Sequence, residues 1–241
     1  MTFPLPKSAL PTAVVAVLAV ALCGCSSKST PTPTPDPSSS GEGQAASQVC
    51  GALLNGEPAT ALERLTGSQR FTESSLTLGE KVSNLSEAKQ HLLGDTSFER
   101  RGKEFDLCLP VAADKLTGGQ LTISTQWIKV DTKDRTWKST DDWTVYDLTG
   151  DGTKDTSAPY ASAASDTSHL DFRCPVGPGR AKNTAISVAI ATRKLDAHHD
   201  TQAPEDLTRI GYGAAVKLAQ QMNCLQESKL PASLGDLKKL T

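Results

Sequence analysis

Apolar positions recur along the chain with two distinct periods. Leu207, Ile210, Ala214, Leu218, Met222 and Leu225 are spaced by threes and fours, which predicts one amphipathic helix over Asp206 to Leu225. Upstream, Glu104 to Val111, Leu121 to Val130, Trp143 to Leu148, His169 to Val176 and Ala185 to Leu195 are rich in branched and aromatic residues. Several alternate with polar positions, and all five read as strands. Shorter helices are predicted at Val49 to Leu54, from Glu57-Pro58 to a stop at Gly67, and at Leu85 to Leu93. A run of strands bracketed by helices predicts an α+β fold, an antiparallel sheet with helices packed on one face. Trp127 shares a strand face with Leu121 and Ile123 and is placed in the core. Between Gly150 and Asp166 the residues are small and polar without a period, which reads as a disordered segment with Tyr160 as a mobile surface side chain.

The N-terminus follows a different rule. Lys7 precedes an unbroken run of small and apolar residues from Ala9 to Leu22, too short to span roughly 30 Å of hydrocarbon comfortably and right for the h-region of a signal peptide. Residues 1–24 are therefore expected to be removed. From Ser26 to Ser47 the chain holds Ser, Thr, Pro, Gly, Ala, Gln and charged residues, with no aromatic or branched aliphatic side chain to bury. This is a tether, extended by its alternating Thr-Pro pairs, and residues 48–241 are expected to form one domain.

The charge balance is 25 Lys plus Arg against 27 Asp plus Glu, a formal charge of −2. No basic surplus exists to neutralise a run of phosphates, so nucleic acid is not an expected partner. Beyond Cys23 and Cys25 the cysteines are Cys50, Cys108, Cys174 and Cys224, an even set without a C-x-x-C pair. In an exported protein this predicts two structural disulfides. Three pairings are open; the one that staples each half separately joins Cys50 to Cys108 and Cys174 to Cys224.

Leu22-Cys23-Gly24-Cys25 resembles the lipobox of bacterial lipoproteins, with Cys23 standing where Ala, Ser or Thr is usual. The resemblance implies a diacylglycerol thioether on Cys25, which becomes the mature N-terminus held by its acyl chains in the cell membrane. Ordinary secretory cleavage after Ala19-Val20-Ala21 is the competing reading. Together with the Thr/Pro tether, Val49-Cys50-Gly51-Ala52-Leu53-Leu54, Leu65-Thr66-Gly67-Ser68 with Arg70-Phe71, Phe172-Arg173-Cys174 and Cys224, the motif is similar to a group of actinobacterial cell-envelope lipoproteins of unknown function. That resemblance implies an extracytoplasmic, disulfide-containing domain and lends no catalytic residue.

Asp147-Leu148-Thr149-Gly150-Asp151-Gly152-Thr153-Lys154-Asp155 resembles the calcium loops of integrin-type propeller blades and dockerins. A hard cation wants six or more oxygens, and Asp147, Thr149 and Asp151 on alternate positions, the Thr153 carbonyl and Asp155 supply them around a turn at Gly152. The plain alternative is a polar Asp-Gly turn leaving a strand. Trp137 and Trp143 flank a hydrophilic stretch, and either is a candidate platform for a sugar or protein partner. His198-His199-Asp200 and Asp196 read as a solvated connector. No G-x-S-x-G, S-x-x-K, H-E-x-x-H or P-loop is present. The expectation is a lipid-anchored binding or accessory module for an envelope protein or cell-wall glycan; the alternative is an envelope hydrolase or metal-dependent enzyme with dispersed site residues.

Overall fold

The computed structural model describes residues 43–74, 80–95, 102–114, 119–130, 138–149, 158–181, 183–193 and 201–241. The chain enters the fold at Gln44, whose N–H donates to the Phe71 carbonyl at 2.7 Å, and Ala46 is fully buried. The folded body thus takes in residues just ahead of the tether boundary expected at Ser47. A four-residue helical turn, α1 (Val49–Ala52), is bent by left-handed backbone at Cys50 and Gly51. Helix α2 (Glu57–Thr66) carries Pro58 in its first turn, where a missing N–H breaks no helical bond, and stops at Gly67 in the left-handed region at φ 61°. Helix α3 (Leu85–Gly94) starts at Asn84, whose side chain accepts from the Glu87 N–H at 3.0 Å.

Strands β1 (Phe71–Glu73), β2 (Glu80–Lys81), β3 (Phe105–Cys108), β4 (Pro110–Ala112), β5 (Gln120–Lys129), β6 (Thr144–Asp147), β7 (Tyr160–Ala163), β8 (Thr167–Phe172), β9 (Thr184–Arg193) and β10 (Lys238–Lys239) join in one sheet, with α4 (Ala203–Gln221) between the last two. The order is β1-β4-β5-β9-β8-β7-β6-β10, with β3 also on β5 and β2 on β3. All pairings are antiparallel except the two-residue β2–β3 pair. The expected α+β class holds.

Strands β1, β2 and β10 and several boundaries differ from expectation. The strand predicted over Glu104 to Val111 divides at Leu109, and the register of β3 on β5 shifts between Asp106 and Cys108. The final helix ends at Gln221, because Asn223 adopts φ 57° and turns Cys224 towards Cys174. Tyr160–Ala163 is an ordered strand between β6 and β8, which corrects the reading of disorder for that part of the stretch, while residues 150–157 lie outside the described residues. Its alanines give no hydrophobic period, yet Ala161 and Ala163 are fully buried in the core, where small side chains suit the close approach of α4.

The core lies between the sheet and α4. Ile186, Val188 and Ile190 of β9 stand beside Trp127, Thr125 and Ile123 of β5 and beside Phe172, Leu170 and Ser168 of β8. Helix α4 rests on this face: the Ser168 hydroxyl donates to the Leu207 carbonyl at 3.1 Å, and a Cβ at Gly211 would sit 3.5 Å from Ile190 Cγ1. Trp127 is wholly buried and its indole N–H donates to the Leu92 carbonyl at 2.7 Å, tying α3 to the same face. Arg64 of α2 reaches buried Asp206 of α4 through Nη2 at 2.6 Å and Nε at 3.1 Å, and Glu57 through Nη2 at 3.0 Å. The hydrogen bond to Asp206, then that to Glu57, holds the Arg64 guanidinium above its ordinary pKa against the opposing pull of burial.

Both disulfides join as the half-by-half pairing anticipates, with Cα–Cα distances of 5.4 Å for Cys50–Cys108 and 5.3 Å for Cys174–Cys224. Cys174 and Cys224 are fully buried, whereas Cys50 is half-buried beside a surface depression. Under graded dithiol reductant, alkylation and mass spectrometry should find Cys50–Cys108 opening first. Replacing Cys174 and Cys224 together by alanine should cost about 4 kcal/mol in urea unfolding, given the 50-residue separation that the bridge closes. Asp206→Ala, which leaves Arg64 without its main partner, should cost about 2 to 3 kcal/mol. Glu57→Gln should cost less than about 1 kcal/mol in the same assay, since the side chains of Glu57 and Arg64 both reach solvent.

Candidate functional site: a groove across the sheet

Side chains of a strand alternate between faces, so the face of β9 turned away from α4 carries Ala185, Ser187, Ala189 and Ala191. All four are small, and the sheet surface is depressed along this strand. Ser187 lies between Gln126 of β5 and Asp171 of β8, and Asp171 is opposite Tyr160 of β7. One row along, Ala189 lies between Ser124 and His169, and His169 is opposite Ser162. The result is a groove of about 620 Å³. One wall is Gln126, Ile128 and Lys129; the other is built by Tyr160, Ser162, His169 and Asp171, with Ser187 in the floor.

The lining is polar and nearly balanced in charge. Lys129 and Asp171 offset one another, and Ile128 is the aliphatic member of the lining. The Trp143 ring lies along His169, one of the lining residues, with centroids 5.9 Å apart and planes 23° from parallel. Trp143 is half-buried and so is Tyr160, which is a wall residue instead of the mobile surface side chain expected. Ser187 in the floor and Asp171 in the wall are 4% and 8% exposed, so both polar groups sit below the general surface.

Ser162, His169 and Asp171 share this groove, which raises the question of nucleophilic chemistry. Ser162 pairs across to both Val145 and His169, and Ser187 to both Gln126 and Asp171. Interior strands commit their backbone N–H groups to the ladder. Neither serine therefore brings the adjacent free N–H donors that an oxyanion requires.

A second depression of about 340 Å³ lies beside Cys50 and the start of α3. There the Ser83 N–H donates to Glu87 and holds its carboxyl below the ordinary value. Among the described residues, Cys50, Glu73 and Cys108 bring three potential metal ligands together, but the two sulfurs are joined to each other and the Glu73 carboxylate accepts from the Cys50 N–H at 2.8 Å. As a pair of bridged sulfurs and an engaged carboxylate, they are a structural cluster.

Of the proposed calcium loop, Asp147 and Thr149 are described; Asp151, Thr153 and Asp155 lie outside the described residues, as do Cys25 and the leader, Trp137, Asp196, His198, His199 and Asp200. One oxygen of Asp147 accepts from the Thr149 N–H at 3.0 Å and from its hydroxyl at 2.9 Å, a side-chain turn at the end of β6, and Lys238 is the cross-strand neighbour of Asp147. Among the described residues no helix is long and apolar enough to cross a membrane. Comparison with family models, curated proteins and solved structures gives no match, so the reading of the groove rests on its own geometry.

Thermal unfolding in calcium and in EDTA separates the two readings of the Asp147 loop. A bound ion at 100 times its dissociation constant predicts a gain of about 2.7 kcal/mol, or roughly 5 to 10 °C, abolished by Asp151→Ala. A plain Asp-Gly turn predicts equal midpoints in both buffers.

Proposed function

We propose that this chain is a lipoprotein anchored through Cys25 to the cell membrane, presenting its disulfide-bonded domain on the extracytoplasmic side as a recognition module for an envelope protein or cell-wall glycan. The groove over β9 is the observation that carries the recognition part of this reading. Polar side chains from four strands converge there, with a phenol in one wall and an indole stacked on the lining His169. Such a site offers many directional contacts and no preassembled catalytic donors. The anchoring part rests on the lipobox-like Leu22 to Cys25 and on the tether that follows. The disulfides support an oxidising compartment, since cross-links of this kind are seldom kept in the cytosol.

A hydrolase is the second reading, favoured by Ser162 directly opposite His169 with Asp171 two residues further on the same face. A fluorophosphonate probe that labels Ser162 in the intact protein would move the assignment to that class.

Metabolic labelling with an alkyne fatty acid tests the anchor. The wild-type chain should incorporate label and sediment with membranes, and Cys25→Ala should lose the label and leave the membrane fraction. For the groove, the full-length protein held in nanodiscs should retain either a wall-glycan fraction or a specific envelope protein. Ser187→Leu, which fills the floor, should weaken that retention by about tenfold or more. Retention unchanged by the substitution, or none at all, overturns the recognition reading.

A further inference from the structure

Resting on the recognition reading above, we infer that the ligand of the β9 groove is an uncharged or weakly charged glycan chain, bound along the strand with a sugar ring against Trp143. Four observations select this chemistry over the other classes that a sheet can bind.

The groove lies on the face of the sheet, where the strands forming it already pair on both sides. An extended peptide is ordinarily captured by adding to a sheet edge through main-chain hydrogen bonds. Here the ladder of β9 is filled by β5 and β8, so recognition must run through side chains.

The side chains available are amide, hydroxyl, imidazole and carboxylate. Gln126 and Ser187 face Asp171 across one row, and His169 faces Ser162 across the next. These groups offer paired donors and acceptors at the spacing of cross-strand neighbours, about 5 Å within a row and about 7 Å between rows. A polyhydroxyl chain presents donors and acceptors at comparable intervals and can use both.

Charge complementarity excludes strongly ionic ligands. With Lys129 offset by Asp171, the lining has no excess of one sign, and a polyphosphate or a polyanion would gain little here. A lipid tail is excluded by the same lining, in which Ile128 stands among polar side chains.

The indole stacked on His169 supplies what polar contacts alone lack. The Trp143 indole is fixed by its stacking on His169, and its backbone N–H donates to the Thr140 hydroxyl at 3.1 Å. A half-buried ring held in place costs little entropy on binding and offers a flat apolar face to the C–H side of a pyranose. The depression along β9 makes room for the chain itself, because any larger side chain at Ser187 or Ala189 would occupy it.

The test uses the full-length chain in nanodiscs, titrated with neutral oligosaccharides: tetramers of N-acetylglucosamine, mannose, galactose and arabinose. Indole fluorescence and saturation-transfer NMR report binding. At least one tetramer should bind saturably, with Trp143→Ala and Ser187→Leu each weakening it about tenfold or more, while thermal unfolding shows both variants folded. Gln126→Ala is the milder variant should Ser187→Leu fail to fold, and it should weaken binding severalfold.

No saturable binding by any tetramer, or binding that none of the three substitutions weakens, overturns the glycan inference. A photo-crosslinking lysine analogue placed in cells at position 129, an exposed wall position that leaves the floor of the groove open, distinguishes the two levels of the proposal. Crosslinks to one defined envelope protein, with the sugars silent, overturn the glycan and keep the recognition reading. Silence in both assays overturns both.

Discussion

The antiparallel register of β5 on β9 is the constraint on which the other features depend. Ten consecutive residue pairs, from Gln120 with Arg193 to Lys129 with Thr184, run without a bulge. Because the side-chain period of a strand is two, this register decides at once which residues meet the helices and which build the groove. A slip by one residue would carry Ile186, Val188 and Ile190 out of the core and bring serine and alanine in. The loss of burial for three branched side chains, each worth about 1.5 to 3 kcal/mol, makes such a slip prohibitive.

The same alternation gives the two faces their unlike chemistry. On the helix side large apolar residues interlock with α4, and Ser168 fits only because its hydroxyl reaches the Leu207 carbonyl. On the other side, from Ala185 to Ala191, β9 contributes nothing larger than serine, so the neighbouring strands rise as walls. Filling this channel with larger apolar side chains would bury more surface and would remove the space. The low exposure of Ser187 and Asp171 keeps polar groups where larger apolar side chains would pack.

The ends of the architecture are held by a different kind of interaction. Cys174–Cys224 joins the exit of β8 to the residues just past α4, and Cys50–Cys108 joins the N-terminal turn to the end of β3. Between them the Arg64 guanidinium clamps α2 to α4 through a buried carboxylate. These links fix the helical layer over the sheet, and the sheet in turn fixes the spacing of the groove walls.

How much of this was legible depended on whether the signal was local. The long final helix, the strands around Trp127 and Ile186, the Gly67 stop and an even set of domain cysteines follow from spacing and residue type, because propensity and periodicity act over a few neighbours. Strand β7 was hidden, since Tyr-Ala-Ser-Ala carries no hydrophobic period and its burial depends on β6, β8 and α4 meeting over it. The groove was hidden for a related reason. The small-large alternation Ala185-Ile186-Ser187-Val188-Ala189-Ile190-Ala191 was a readable hint that one face of β9 is recessed, but Gln126, Tyr160, His169 and Asp171 belong to three other strands and converge only through register. The sequence by itself determined the α+β class and the apolar faces, through forces that act along the chain. Only the tertiary structure decided which polar residues share a site, because cross-strand pairing sets that proximity between residues far apart in the chain.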